Sequence, residues 1–259
     1  MAFNYYFETG DFLQEKRRIH TLDEIRGFCV FCMIFDHCLF TLGYMFGHKF
    51  SQNLFEFFEH ISPAFAATFV MLCGISCTLS RNNFLRGLKI AGAAIVVTVV
   101  SLFLMEDSPI IFGVLHLLAT CVILYIPLKK VIEKIPTIAG IAVCAVLFFL
   151  TYEIDSGHIG IGSFGIELPR SFYSGELMIL GLRNPTKGYS DYFPLLPWMF
   201  AFFSGAFLGK YVTEGKVPKG MYKSRVPFLS MIGTHAFFVY LVHQPLAYGV
   251  YYLLTLAKG

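Results

Sequence analysis

The sequence predicts an all-α, polytopic membrane protein, a helix bundle of about seven transmembrane helices with a cytoplasmic N-terminus. Three observations predict it. Of the 259 residues, 56% are hydrophobic and 14% charged, against about 25% charged in a soluble domain. Apolar stretches of about 18 residues or more, each long enough to cross a ~30 Å hydrocarbon core, follow one another along the chain. Lysine and arginine are concentrated in every second loop. No polar segment can bury a core of its own, the longest being 153–192, so residues 1–259 are read as a single membrane domain. A formal charge of +3, with no basic stripe among exposed aromatics, gives no reason to expect nucleic acid.

Hydropathy places the spans at about 24–46, 61–80, 88–105, 110–128, 136–153, 193–212 and 228–256. They are helices, because backbone polar groups in lipid must be satisfied within the segment and none of the stretches alternates as a barrel strand does. Residues 1–18 lack the basic, apolar and small-residue regions of a cleaved signal peptide, so the first span is expected to serve as its own insertion signal. On the N-terminal side lie Lys16, Arg17, Arg18, Arg26, Arg81, Arg86, Lys89, Lys129, Lys130, Lys134, Lys210, Lys216, Lys219, Lys223 and Arg225. On the other lie Lys49, Arg170, Arg183, Lys187 and Lys258, and fifteen against five sets that side in the cytoplasm. The glycine-rich loop 153–191, with an apolar patch at 177–182, is expected to re-enter the membrane in part or to cover a site.

Ionisable groups inside membrane spans cost about 2.5–3.5 kcal/mol to insert and are functional by default. Here they are Asp36, His37, His116, His235 and His243. His37 lies 15 residues into the first span and His243 15 residues into the last, each roughly 22 Å deep at ~1.5 Å per residue. His116, about six residues below the opposite boundary, reaches roughly 21 Å of a ~30 Å core. Three helices can therefore bring three histidines to one layer. Asp23, Arg26, Val30, Met33, His37 and Tyr44 share one helix face. Asp36 projects about 100° away, so it is a candidate catalytic acid that is not assumed to orient His37.

Arg18, Arg26, Arg81, Arg86 and Lys89 gather at the cytoplasmic ends of the first three helices. Their forks and ammonium groups suit phosphate oxygens, although topology alone demands basic residues there. His37 reads as functional, His116 and His243 stand level between function and packing, and His235 reads as structural. Cys29 and Cys32 read as small packing residues, and all seven cysteines fall in apolar spans without a disulfide framework. Gly27, Gly74 and Gly205 permit close helix approach. His243-Gln244-Pro245 marks a helix interruption that would expose polar groups inside the bundle.

The run Arg18-Ile-His-Thr-Leu-Asp23-Glu-Ile-Arg26-Gly27, with His37 eleven residues after Arg26, resembles the start of the heparan-α-glucosaminide N-acetyltransferase-like catalytic family (the DUF1624 group). It is also similar to the broader transmembrane acyltransferases. FVMLCGISCTLSR (69–81), FGVLH (112–116), DYFPLLPW (191–198) and YLVHQP (240–245) continue the likeness over most of the chain; it departs at Thr41, where many relatives carry an acid. The resemblance implies transfer of an acyl group, acetyl in the first instance, from cytoplasmic acetyl-CoA to a sugar hydroxyl or amine reached from the other side. The residues it carries over are Asp23, Arg26, His37, Arg81, His116, Asp191 and His243.

The resulting assignment makes His37 a general base or transient nucleophile, with His116 and Asp36 as further catalytic candidates. Arg18, Asp23, Arg26, Arg81, Arg86 and Lys89 bind the acyl-CoA; Asp191, His243 and Gln244 bind the acceptor; no metal is expected. Partners are the lipid bilayer, acyl-CoA and a sugar or glycan, with a homodimer as a candidate assembly, in a bacterial plasma membrane. The competing readings are a proton-coupled transporter or flippase using the same histidines, and a haem or metal protein with those histidines as ligands.

Overall fold

The computed structural model describes residues 18–104 and 107–256. Lys16, Arg17, Lys258 and the signal-peptide expectation for the N-terminal segment fall outside them. The chain is all-α: α1 His20–Phe40, extended by a π-helical turn Thr41–Met45; α2 Lys49–Glu59; α3 Ser62–Thr78; α4 Asn83–Leu104; α5 Val114–Lys134; α6 Thr137–Leu150; α7 Leu195–Thr213; α8 Pro227–Thr234; and α9 Ala236–Leu256. A hairpin, β1 His158–Ile161 and β2 Phe164–Glu167, interrupts the series.

Among the described residues five segments are long and apolar enough to cross a membrane: His20–Tyr44, Asn83–Phe103, Val114–Lys134, Thr137–Ser156 and Leu195–Thr213. A sixth is α2 with α3 if that pair, bent by 56°, is one span. The expected seventh span is divided. Its break falls at His235, the residue after α8, while Pro245 sits inside an unbroken α9. The expected span 110–128 starts instead at Val114, because Gly113 is extended (φ −89°, ψ −174°) and acts as the N-cap. His116 is thus in the first turn of its helix rather than six residues into it.

The described residues divide into two compact units, 18–69 with 217–256 and those within 70–216. In the first, α1 and α8 touch backbone to backbone: a Cβ built on Gly27 would lie 1.9 Å from Leu229 O, and one on Gly233 1.8 Å from Asp23 O. Small residues let helices approach this closely, and van der Waals packing then replaces the hydrophobic drive that lipid does not supply. In the second unit Gly74 and Gly205 do the same for α3 and α7, their built Cβ atoms falling 2.0 Å from Phe202 O and 1.9 Å from Met71 O. Its core holds Val70, Cys77, Leu117, Cys121, Val122 and Phe202, all essentially inaccessible.

Residues 153–192 are ordered by local turns and by the hairpin. Besides the hairpin they form short 3-10 turns, tied by Arg183 Nε to Asp155 Oδ1 at 2.7 Å and by Tyr173 donating to Ile154 O. Arg183 also stacks on Tyr192, 5.1 Å from the ring centroid. Burial pushes the Tyr192 phenol up, so its hydroxyl stays protonated and donates to Met178 O.

Candidate active site

The first helix carries the site in two places, one at each end. Near its start Asp23 is clamped between two arginines, Oδ2 to Arg18 Nε at 2.6 Å and Oδ1 to Arg26 Nη1 at 2.9 Å. Arg18 reaches on to the Thr234 hydroxyl and Arg26 to Gly233 O at 3.5 Å. Glu24, one residue later and so on another face, accepts from Ser224 Oγ at 3.0 Å and from the backbone N–H of Arg225 and Val226 at 2.6 and 2.9 Å. Its carboxylate therefore sits at the N-terminus of α8, where the unsatisfied N–H groups and helix dipole favour a negative charge. Glu24→Ala is expected to cost about 2 kcal/mol of stability, read as a lower unfolding midpoint in detergent. An unchanged midpoint would show that the cap is dispensable.

At the other end, His37 Nδ1 lies 2.7 Å from His243 Nε2, with the ring planes 16° apart and the centroids 5.0 Å apart. His243 Nδ1 lies 2.6 Å from Tyr240 O. A carbonyl can only accept, so His243 Nδ1 carries the hydrogen and its Nε2 offers a lone pair. A neutral imidazole has one N–H, which His37 then places on Nδ1. The chain of donors leaves the lone pair on His37 Nε2, which has no hydrogen-bond partner among the described residues. The equal depth inferred for residues 37 and 243 is matched by this contact. Asp36 makes no hydrogen bond to His37 among the described residues, and its Oδ1 is buried without a partner. Gln244 Nε2 donates to the fully buried Thr41 Oγ1 at 3.4 Å, while its Oε1 is likewise buried and unmatched.

Beside the start of α1 a cavity of about 430 Å³ is lined by Arg18, His20, Lys219, Tyr222 and Lys223. Among the described residues neither Lys219 nor Lys223 has an acidic partner. Sequence reasoning counted these lysines as topology signals and did not find the pocket, because the 3-10 turn Lys219–Tyr222 that presents them has no periodicity to read. It also passed over His48, which is exposed and holds Nδ1 3.0 Å from Ser51 Oγ.

The remaining candidates belong to the second unit. His116 Nδ1 accepts from Gly113 N–H at 3.3 Å, so its Nε2 carries the hydrogen and donates to Thr98 Oγ1 at 3.2 Å. Thr98 in turn donates to Ile110 O at 2.8 Å. Asp191 Oδ2 accepts from Val114 N–H at 3.3 Å, its own backbone held at φ 48°. FGVLH and DYFPLLPW thus meet at the N-terminus of α5, with His116 and Asp191 both satisfying its first donors. Arg81, Arg86 and Lys89 surround the first turns of α4, with Arg86 Nη1 3.6 Å from Cys77 Sγ. The basic cluster read from the sequence is therefore distributed over both units. Among the described residues no group of three His, Cys, Asp or Glu side chains is placed to hold a metal ion.

A match to the family described as heparan-alpha-glucosaminide N-acetyltransferase, catalytic, covers residues 18–245. The chain belongs to this family. The match starts at Arg18, the first member of the arginine clamp, and ends at Pro245, just past the His37–His243 contact, so it encloses both ends of the site. Membership makes the chain a multi-pass membrane protein of the acetyltransferase class. No curated protein and no solved structure matches it.

Proposed function

We propose that the protein transfers an acyl group, acetyl in the first instance, from acyl-CoA to a sugar hydroxyl or amine, with His37 as general base. The observation that carries this reading is the unpaired Nε2 of His37, its ring fixed by hydrogen bonds that run through His243 to a backbone carbonyl. In the reaction His37 Nε2 takes the proton of the acceptor as its oxygen or nitrogen bonds to the acyl carbon, and returns that proton to the departing thiolate. While protonated, His37 donates more strongly to His243, which spreads the charge over two rings and orients the first. The unmatched oxygens of Asp36 and Gln244 are acceptors for the hydroxyl or amine hydrogens of a sugar.

The donor's phosphates fit the pocket of Arg18, His20, Lys219 and Lys223, with Tyr222 offering a flat face to a base. This adds His20, Lys219, Tyr222 and Lys223 to the binding residues read from the sequence. The positive-inside distribution supports placing that pocket in the cytoplasm. Calorimetry with acetyl-CoA on the detergent-purified protein is expected to give a micromolar Kd that weakens about tenfold, about 1.4 kcal/mol, in Lys219→Ala/Lys223→Ala. Unaltered affinity in that variant would remove the pocket from the donor site. Absence of binding to the folded parent would remove the donor.

One observation favours a second reading. Two histidines in direct nitrogen-to-nitrogen contact also make a proton path, as a proton-coupled transporter needs. Uptake into proteoliposomes that follows a pH gradient and consumes no acyl-CoA would support that reading over transfer.

A further inference from the structure

The hairpin after α6 has one wholly apolar face. Its register pairs Ile159 with Ile166 and Ile161 with Phe164, while His158, Gly160, Gly165 and Glu167 occupy the opposite face. Gly162 supplies the positive φ (+59°) of the two-residue turn. On the apolar face Phe164 is 85% exposed, Ile166 71% and Ile161 58%. An isolated two-stranded ribbon is marginal in water, and three of the four residues on this face are exposed while Ile159 is half-buried. Isolated exposed apolar residues need no explanation, but three on one face of a ten-residue ribbon mark an interaction surface.

Where the ribbon sits decides what covers it. His158 follows by two residues the end of the candidate span Thr137–Ser156, and β1 packs against α6 itself. A segment lying against the end of a membrane-spanning helix is at the level where acyl chains give way to headgroups, so the nearest apolar medium is the bilayer. Its only ionisable side chains, His158 and Glu167, are a cross-strand pair at the open end and on the other face, where Glu167 is exposed and His158 is half-buried with its Nε2 unpaired. We propose that this ribbon is an interfacial anchor: Ile159, Ile161, Phe164 and Ile166 rest in the acyl-chain boundary of the leaflet in which α6 ends, with Phe164 at the tip reaching deepest. The partner is the lipid surface, irrespective of the reaction the protein performs.

The test is Phe164→Trp in the full chain, reconstituted in phosphatidylcholine vesicles and compared with the parent, whose single tryptophan, Trp198, gives the baseline. The difference emission is expected to be blue-shifted, quenched at least twofold more than the parent by lipids brominated near the headgroup end of the chain, and poorly quenched by aqueous iodide. Free quenching by iodide with none by brominated lipid would place the ribbon in water and overturn the proposal. Protection from both quenchers, with cross-linking between chains at position 164, would overturn it in favour of a second copy as the cover. Ile161→Trp, on the same face, gives an independent reading should the first variant fold poorly.

Discussion

His37→Ala is expected to reduce acetyl transfer by about 10²–10⁴-fold, the range supplied by a positioned general base, while acetyl-CoA affinity changes less than threefold. The separation of the two effects is the informative part. The donor pocket is lined by residues at the start of α1 and in 219–223, whereas His37 lies 17 residues further along the same helix. His243→Ala should give a smaller loss, because it leaves His37 in place but frees its ring to turn and its hydrogen to move to Nε2. His243→Asn, whose amide can still accept from His37 Nδ1, should recover part of that loss, which a purely packing role would not explain. Full turnover in His37→Ala would end the assignment. If activity disappeared in His48→Ala instead, the base would be His48, whose Nδ1 is held by Ser51 in a similar way.

Gly27→Ala is expected to destabilise the first unit by about 3 kcal/mol, at the upper end of overpacking costs. The added carbon would fall 1.9 Å from Leu229 O and 2.9 Å from Gly233 N. Both are backbone atoms, so no rotamer change can make room and the helices must part. Separation would also stretch the contacts of Arg18 with Thr234 and of Glu24 with the start of α8. The measurement is the unfolding midpoint of purified Gly27→Ala against parent, with Gly233→Ala as the reciprocal variant. A midpoint equal to the parent's in both would mean that α1 and α8 are not in backbone contact.

The spanning helices were legible because each is a long apolar run bounded by charge or proline, whereas α2, eleven residues with polar side chains among its phenylalanines, was not. Depth counting foresaw that residues 37 and 243 lie level, since helical rise is fixed even when helix neighbours are unknown. The Asp23–Arg26 pair was legible as well, being one turn apart on a shared face. Glu24 was not, because the groups it holds are 200 residues away or more and two of them are backbone N–H groups, which no side-chain pattern reports. His116 was placed six residues into a helix because the apolar residues before Gly113 look helical but are not, and it lies in the first turn of α5. The hairpin escaped because HIGIGSFGIE is short and glycine-rich, and alternation over four residues per strand is a weak signal. The break at His235 has apolar sequence on both sides, so hydropathy runs through it.

The first unit is assembled from the two ends of the chain, and that sets an order for its birth. Arg26 and its acceptor Gly233 are 207 residues apart, an interval of roughly 10–40 s at 5–20 residues per second of synthesis. Asp23 is neutralised during that wait by Arg18 and Arg26, both within five residues. Glu24 and the bare backbone at Gly27 have no such local cover until α8 emerges. Closure of this half therefore waits for α8, and a nascent chain interrupted before α8 would carry His37 without the partner that aims it.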